Sequence, residues 1–289
     1  MEFNHRNAEY MQYIEEYLGK CFQYETEPQK DLFDAMRYSL LAGGKRLRPI
    51  FAFDFCRMCG GNWKQAAPFA AAIEMVHTYS LIHDDLPCMD NDDFRRGKPT
   101  NHKVYGEAIA VLAGDALLTA AFSAISSAAL SAEQRIHAVE ILAACAGELG
   151  MVGGQVLDMQ SEERQCTANE VIDIQSRKTG ALIKAACLLG VLAANGTQKE
   201  LSSASEFAEN LGLAFQIRDD MLDVIGNTEE LGKAVGVDGI KNTFVQLYGL
   251  DICEKMVREH TQKALSALSV FKNNSFMVSL AEMLITRRK

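Results

Sequence analysis

The stretch Ser80-Leu81-Ile82-His83-Asp84-Asp85-Leu86-Pro87-Cys88-Met89-Asp90-Asn91-Asp92-Asp93 carries an apolar segment into a cluster of aspartates and then meets a proline. A second stretch repeats the layout: Phe215-Gln216-Ile217-Arg218-Asp219-Asp220-Met221-Leu222-Asp223. The residues leading into each cluster read as helix. Asp219 and Asp223 are four apart and so share one helical face about one turn apart. Pro87 should end the first helix and let Asp90 swing back towards Asp84.

Outward from these clusters the pattern stays helical. Apolar positions recur three or four apart, as in Leu32, Ala35, Met36 and Leu40. The same spacing predicts helices over 47–59, 64–86, 103–129, 132–161, 169–194, 200–225, 243–268 and 275–287. Alternating strand patterns are nearly absent, so the chain reads as all-α. Polar interruptions at Pro87–Thr100 and Gly226–Thr243 each follow an acid cluster, and loops hung on rigid helices are where binding chemistry concentrates. None of the five prolines sits in a Pro/Gly/Ser-rich linker, so one domain spanning residues 1–289 is expected.

The net charge of −9 argues against nucleic acid, which needs a basic surface. It leaves room for small phosphorylated ligands held by a few local cations. Eight cysteines are scattered, several inside apolar runs, which suits free thiols in a reducing, cytoplasmic compartment. The Cys56–Cys59 pair lacks the second pair or histidines that a zinc site would need. The apolar windows Ala108–Leu130 and Ala181–Ala194 hold Asp115 and Lys184, and read as buried helices rather than membrane spans.

Carboxylates converging at the end of an apolar helix repel one another unless a cation sits between them. Helix capping does not explain them, because acids at a helix C-terminus oppose the macrodipole. The spacing also fails the EF-hand pattern. Hard oxygen donors without Cys or His point to magnesium. Basic elements accompany the clusters: Gly43-Gly44-Lys45-Arg46-Leu47-Arg48-Pro49, Arg95-Arg96-Gly97-Lys98-Pro99, Lys178-Thr179-Gly180 at the expected opening of an apolar helix, and Lys233 and Lys241. Two acid sites plus separate cations suit two phosphorylated ligands, one chelated through metal and one gripped directly by Lys and Arg.

These motifs, with His77 and Gly153-Gly154-Gln155 plus Asp158, resemble in kind and order those of the trans-isoprenyl diphosphate synthases, specifically bacterial farnesyl and geranylgeranyl diphosphate synthases. The resemblance implies an all-α bundle around a deep central cavity, commonly a homodimer, with three magnesium ions held by Asp84, Asp90 and Asp219. It implies that Lys45, Arg48, His77 and Arg96 hold isopentenyl diphosphate. Arg95, Lys178, Thr179, Gln216, Lys233 and Lys241 would contact the allylic diphosphate, with Asp85 and Asp220 completing the catalytic set. Tyr79 and Ser80 would set product length, and an aromatic residue at 79 favours farnesyl over geranylgeranyl diphosphate. A class I terpene cyclase would leave the 43–49 element and Arg96 without purpose. A non-catalytic partner subunit would not need both acid clusters.

Overall fold

A computed structural model of the chain describes residues 2–231 and 242–286. Among these described residues fourteen α-helices follow in order: α1 Glu2–Gly19, α2 Lys30–Leu40, α3 Leu47–Met58, α4 Ala67–Asp84, α5 Asn101–Tyr105, α6 Glu107–Ser126 and α7 Ala132–Ala146. They continue with α8 Met151–Ser161, α9 Ala168–Gln175, α10 Ala181–Ala193, α11 Gln198–Leu231, α12 Phe244–Tyr248, α13 Leu250–Ala267 and α14 Ser275–Thr286. Among the described residues the strands are two dipeptides, Phe94–Arg95 and Lys98–Pro99, paired as a hairpin. The all-α expectation holds.

The centre is built from α3, α4 and α10, whose residues are apolar nearly all round. Phe51, Phe53 and Phe55 of α3 are fully enclosed, as are Ile73 and Val76 of α4 and Ala186, Cys187 and Leu189 of α10. Burying each large side chain contributes roughly 1.5–3 kcal/mol. Gly190 makes the α3–α10 crossing possible, since a Cβ there would stand 2.4 Å from the Ala52 carbonyl oxygen. Amphipathic helices wrap this centre, and one hydrophobic cluster runs from Tyr10 in α1 to Ile285 in α14.

The expected helices are present, but several are divided. The helix expected at 103–129 becomes α5 and α6, broken at Gly106 (φ 84°), and that at 243–268 becomes α12 and α13, broken at Gly249 (φ 75°). Left-handed φ interrupts a right-handed helix, and glycine adopts it without steric cost. The 132–161 segment divides into α7 and α8 around Gly147–Gly150. α11 continues to Leu231, past the Gly226 where a loop was expected, because one isolated glycine costs a helix only about 1 kcal/mol. The N-terminal α1 was not among the expected helices. Its apolar face is narrow, with only Tyr10, Ile14 and Leu18 buried.

By length and apolarity, Glu107–Ser126 and Ala132–Ser161 could cross a membrane. In the fold α6 packs on α4, α2 and α7, and α7 packs on α10.

Candidate active site

The first aspartate cluster is shaped by the end of α4. The helix stops at Asp84, and the chain folds back so that the Asp90 amide donates to the Asp84 carbonyl oxygen at 2.9 Å. This is the return that Pro87 predicts. Asp84 lines a cavity of about 440 Å³ between α4, α8 and the segment 176–180. Burial, reinforced by Asp90 and Asp85 and opposed by Lys178 and Arg95, lifts the Asp84 carboxyl to about 6. A cation would relieve that cost.

Asp85 points the other way. It is only 3 % exposed and accepts from Arg95, which is thereby held in place. Burial opposes the Arg95 charge, yet Asp85, with Asp92 and Asp84 behind it, keeps its pKa above the ordinary value. The second cluster repeats this division. Asp220 is buried and accepts from the Phe244 amide at 2.8 Å and from Gln216 Nε2 at 3.2 Å. Burial raises its pKa. Asp219 is left half-buried, and Asp223, one helical turn further on, is exposed.

Lys178 and Thr179 reach the cavity through a local distortion. Residues Ser176–Gly180 form a turn of π-helix that joins α9 to α10 without a break. The helix opening expected at Lys178 is therefore absent, because helix already precedes it from α9. π-turns insert one residue and re-aim side chains, often at functional sites. Here the turn presents Lys178 and Thr179 to the cavity. Lys178 Nζ is fixed 2.6 Å from Asp158 Oδ2 of α8. The close approach of α8 requires Gly154, since a Cβ there would fall 2.3 Å from the Lys178 backbone nitrogen. Thr179 Oγ1 lies 3.5 Å from Gln216 Oε1, which ties the cavity wall to α11 one turn before Asp220.

The basic end is formed by the 43–48 turn, His77 and Arg96. Gly43 and Gly44 have φ of 82° and 128°, and Arg96 Nη1 donates to the Gly43 carbonyl. A Cβ at Gly44 would stand 2.9 Å from the Arg96 guanidinium carbon. Arg48 and His77 line the cavity together with Asp84. Burial, then Arg48, Arg96, Arg46 and Arg95, depress the His77 pKa far below its usual value, so the ring is neutral. Lys45 is exposed on the turn.

Thus Arg48, His77, Tyr79, Ser80, Asp84, Lys178 and Thr179 share one cavity. Asp85 and Arg95 form a pair behind it, and Gln216 and Asp220 join through Thr179. Asp90 sits on the return loop, and Lys233 and Lys241 lie outside the described residues. Sequence reasoning gave no site role to Gln155 or to the apolar wall of α8, Val152, Val156 and Met159. Their spacing of four and three was the available signal. It was masked because a helix lining a cavity shows the same stripe as one facing a core.

Among the described residues, no three His, Cys, Asp or Glu side chains converge closely enough to hold a metal ion.

A sequence model described as polyprenyl synthetase matches residues 29–275. The chain is 44% identical to a farnesyl diphosphate synthase of Micrococcus luteus over 264 residues, covering 90% of this chain and 91% of that one. It is 42% identical to a geranylgeranyl diphosphate synthase of Cyanophora paradoxa over 262 residues, covering 89% and 87%. An FPP/GFPP synthase structure from Zymomonas mobilis superposes with a TM-score of 0.89 at 34% identity, covering 99% of both chains. The chain therefore belongs to the polyprenyl synthetase family.

Proposed function

We propose that the chain condenses isopentenyl diphosphate with dimethylallyl and then geranyl diphosphate, giving farnesyl diphosphate. One observation carries the reading. Asp84, Lys178 and Thr179 share a single cavity with Arg48 and His77, so an acid-and-lysine end and a basic end adjoin one apolar hollow.

Asp84, Asp90 and Asp219 are the residues that would hold magnesium. When bound, it would supply Lewis-acid stabilisation of the diphosphate leaving group. Lys178 and Arg95 stand ready for the charge that grows on those oxygens as the allylic C1–O bond breaks. Fixed cations serve this well because Asp158 and Asp85 orient them before reaction. Val152, Val156, Met159 and Met89 line the cavity and keep water from the resulting allylic cation. Arg48, Arg96 and Lys45 grip the second diphosphate, and neutral His77 adds a hydrogen bond rather than charge. The isopentenyl double bond then attacks C1, and a proton passes to the departing diphosphate.

Tyr79 lies five residues before Asp84 on α4 and lines the cavity, which supports a short product. A geranylgeranyl product is the second reading, favoured by relatives of that name. The exposed Val111 and Leu112 on α6, an apolar helix only about 33% buried, support a homodimer. One continuous core supports a single domain, and unpaired cysteines support a reducing, cytoplasmic setting.

The test is product mass after incubation with dimethylallyl and isopentenyl diphosphates, with magnesium and with chelator. A fifteen-carbon diphosphate made only with the metal is expected. No product longer than five carbons would overturn the reading.

A further inference from the structure

The turn that presents Lys45 and Arg48 contains a third cation that does not face the ligand. Arg46 is 3 % exposed, and its guanidinium is enclosed by protein acceptors. Its Nε donates to Glu15 Oε1 at 2.7 Å, Nη1 to Glu74 Oε2 at 2.9 Å, and Nη2 to the Leu40 carbonyl at 2.7 Å. Little donor capacity remains for a substrate. The backbone at Arg46 is left-handed, with φ 47°, a conformation that costs a non-glycine residue about 1–2 kcal/mol. Only Lys45 separates it from two left-handed glycines, and it immediately precedes α3. Something must hold this residue there, and the Glu74 carboxylate is the fully buried anion among its three partners.

Glu74 sits on α4 one turn before His77 and is itself 3 % exposed. It thus links the helix carrying His77 and Asp84 to the turn carrying Lys45 and Arg48. Burial lowers the pKa of both Arg48 and Arg96, and Glu74 is the nearest anion that opposes this.

We infer that Glu74, acting through Arg46, is a positioning residue for the subsite that binds the second, non-metal-held diphosphate. The inference rests on the two-diphosphate reading above. Two effects of removing the Glu74 charge oppose each other. A pure field effect would leave the subsite more positive and tighten anion binding. Loss of positioning would release the left-handed turn and weaken it. Charge-assisted hydrogen bonds act over one contact, whereas the field at the ligand is softened by the intervening guanidinium. Positioning should win.

The experiment is calorimetric titration of the full chain with isopentenyl diphosphate in chelator, where the acid clusters lack metal and the basic subsite alone reports. Glu74→Gln should raise Kd about tenfold, the equivalent of one lost charge-assisted bond. Its kcat at saturating substrates and its KM for geranyl diphosphate should stay within about threefold of wild type. Unchanged or tighter binding, or a parallel loss in kcat and both KM values, would overturn the inference. If Glu74→Gln does not fold, Glu15→Gln decides, since Glu15 is more than a third exposed. A rise in Kd of about two- to fivefold supports positioning, and no rise refutes it. Wild type that binds isopentenyl diphosphate without forming product would sink the condensation reading while leaving this comparison intact.

Discussion

Arg95 closes both Nε and Nη2 on the same oxygen of Asp85, at 2.7 and 2.6 Å. The second aspartate of the cluster is therefore spent on orienting a cation, while the first is left facing the cavity. The two should respond differently to the same substitution. Asp84→Asn should raise the magnesium concentration for half-maximal activity about tenfold or more, as one lost ligand would. Asp85→Asn should lower kcat about 10–100-fold through misplacement of Arg95, with that midpoint nearly unmoved. Magnesium titrations of the two variants check this, and matching shifts in the midpoint would refute the division.

Tyr79 lines the cavity beside Asp84, where the proposed reading gives it the limiting role for product length. Removing its ring in Tyr79→Ala should extend the product by at least one five-carbon unit, read by mass spectrometry. An unchanged product distribution would remove Tyr79 from that role.

Gly154 sits where α8 touches the π-turn. Gly154→Ala would place a methyl against the Lys178 backbone nitrogen and Arg177 carbonyl carbon, neither of which can rotate away. Over-packing of this kind costs about 1–3 kcal/mol, which a denaturant midpoint would register. Because the same contact sets the Lys178–Asp158 pair, kcat should fall about tenfold or more, in keeping with the sensitivity of reactions to misplacement. A destabilised variant with full kcat would show that the pair is not needed.

Asp54 offers a pH test remote from the chemistry. Its side chain is fully buried on α3, where it accepts from Tyr10 and pairs with Arg6, yet desolvation outweighs both and lifts its pKa to about 6. A carboxyl with a raised pKa favours folding while protonated. Its contribution is present below the unfolded value near 4 and is lost as pH rises through about 6. Wild type should therefore lose stability over this window, relative to Asp54→Asn, by an amount on the order of 2–3 kcal/mol. Chemical denaturation of both proteins at pH 4 and pH 7 would measure it. An equal change in the two would exclude Asp54 as the cause.

Both acid clusters and most of the helices could be read from the sequence because each leaves a local mark. Apolar residues recur at helical spacing, and Pro87 forces the return that brings Asp90 to Asp84. What could not be read depends on partners distant in sequence. Nothing near Asp85 or Asp220 distinguishes them from Asp84 and Asp219. The difference arises only when Arg95 and the Phe244 amide arrive across the fold. Nothing in the sequence separates Arg46 from Lys45 and Arg48, and only the fold brings Glu15 and Glu74, the latter 28 residues away, to take up its donors. The π-turn was invisible because its residues have ordinary helical propensity, and only packing against Gly154 reveals the need for it.

Ser176–Gly180 also governs how this stretch tolerates change in length. A single-residue deletion there would remove the widened turn and let α9 and α10 run on as one regular helix with their faces still in phase. Val171 and Ile174 on one side and Leu182 and Leu189 on the other would stay in the core. A shortened segment should thus fold much as before while Lys178 and Thr179 lose the aim that the extra residue gives them.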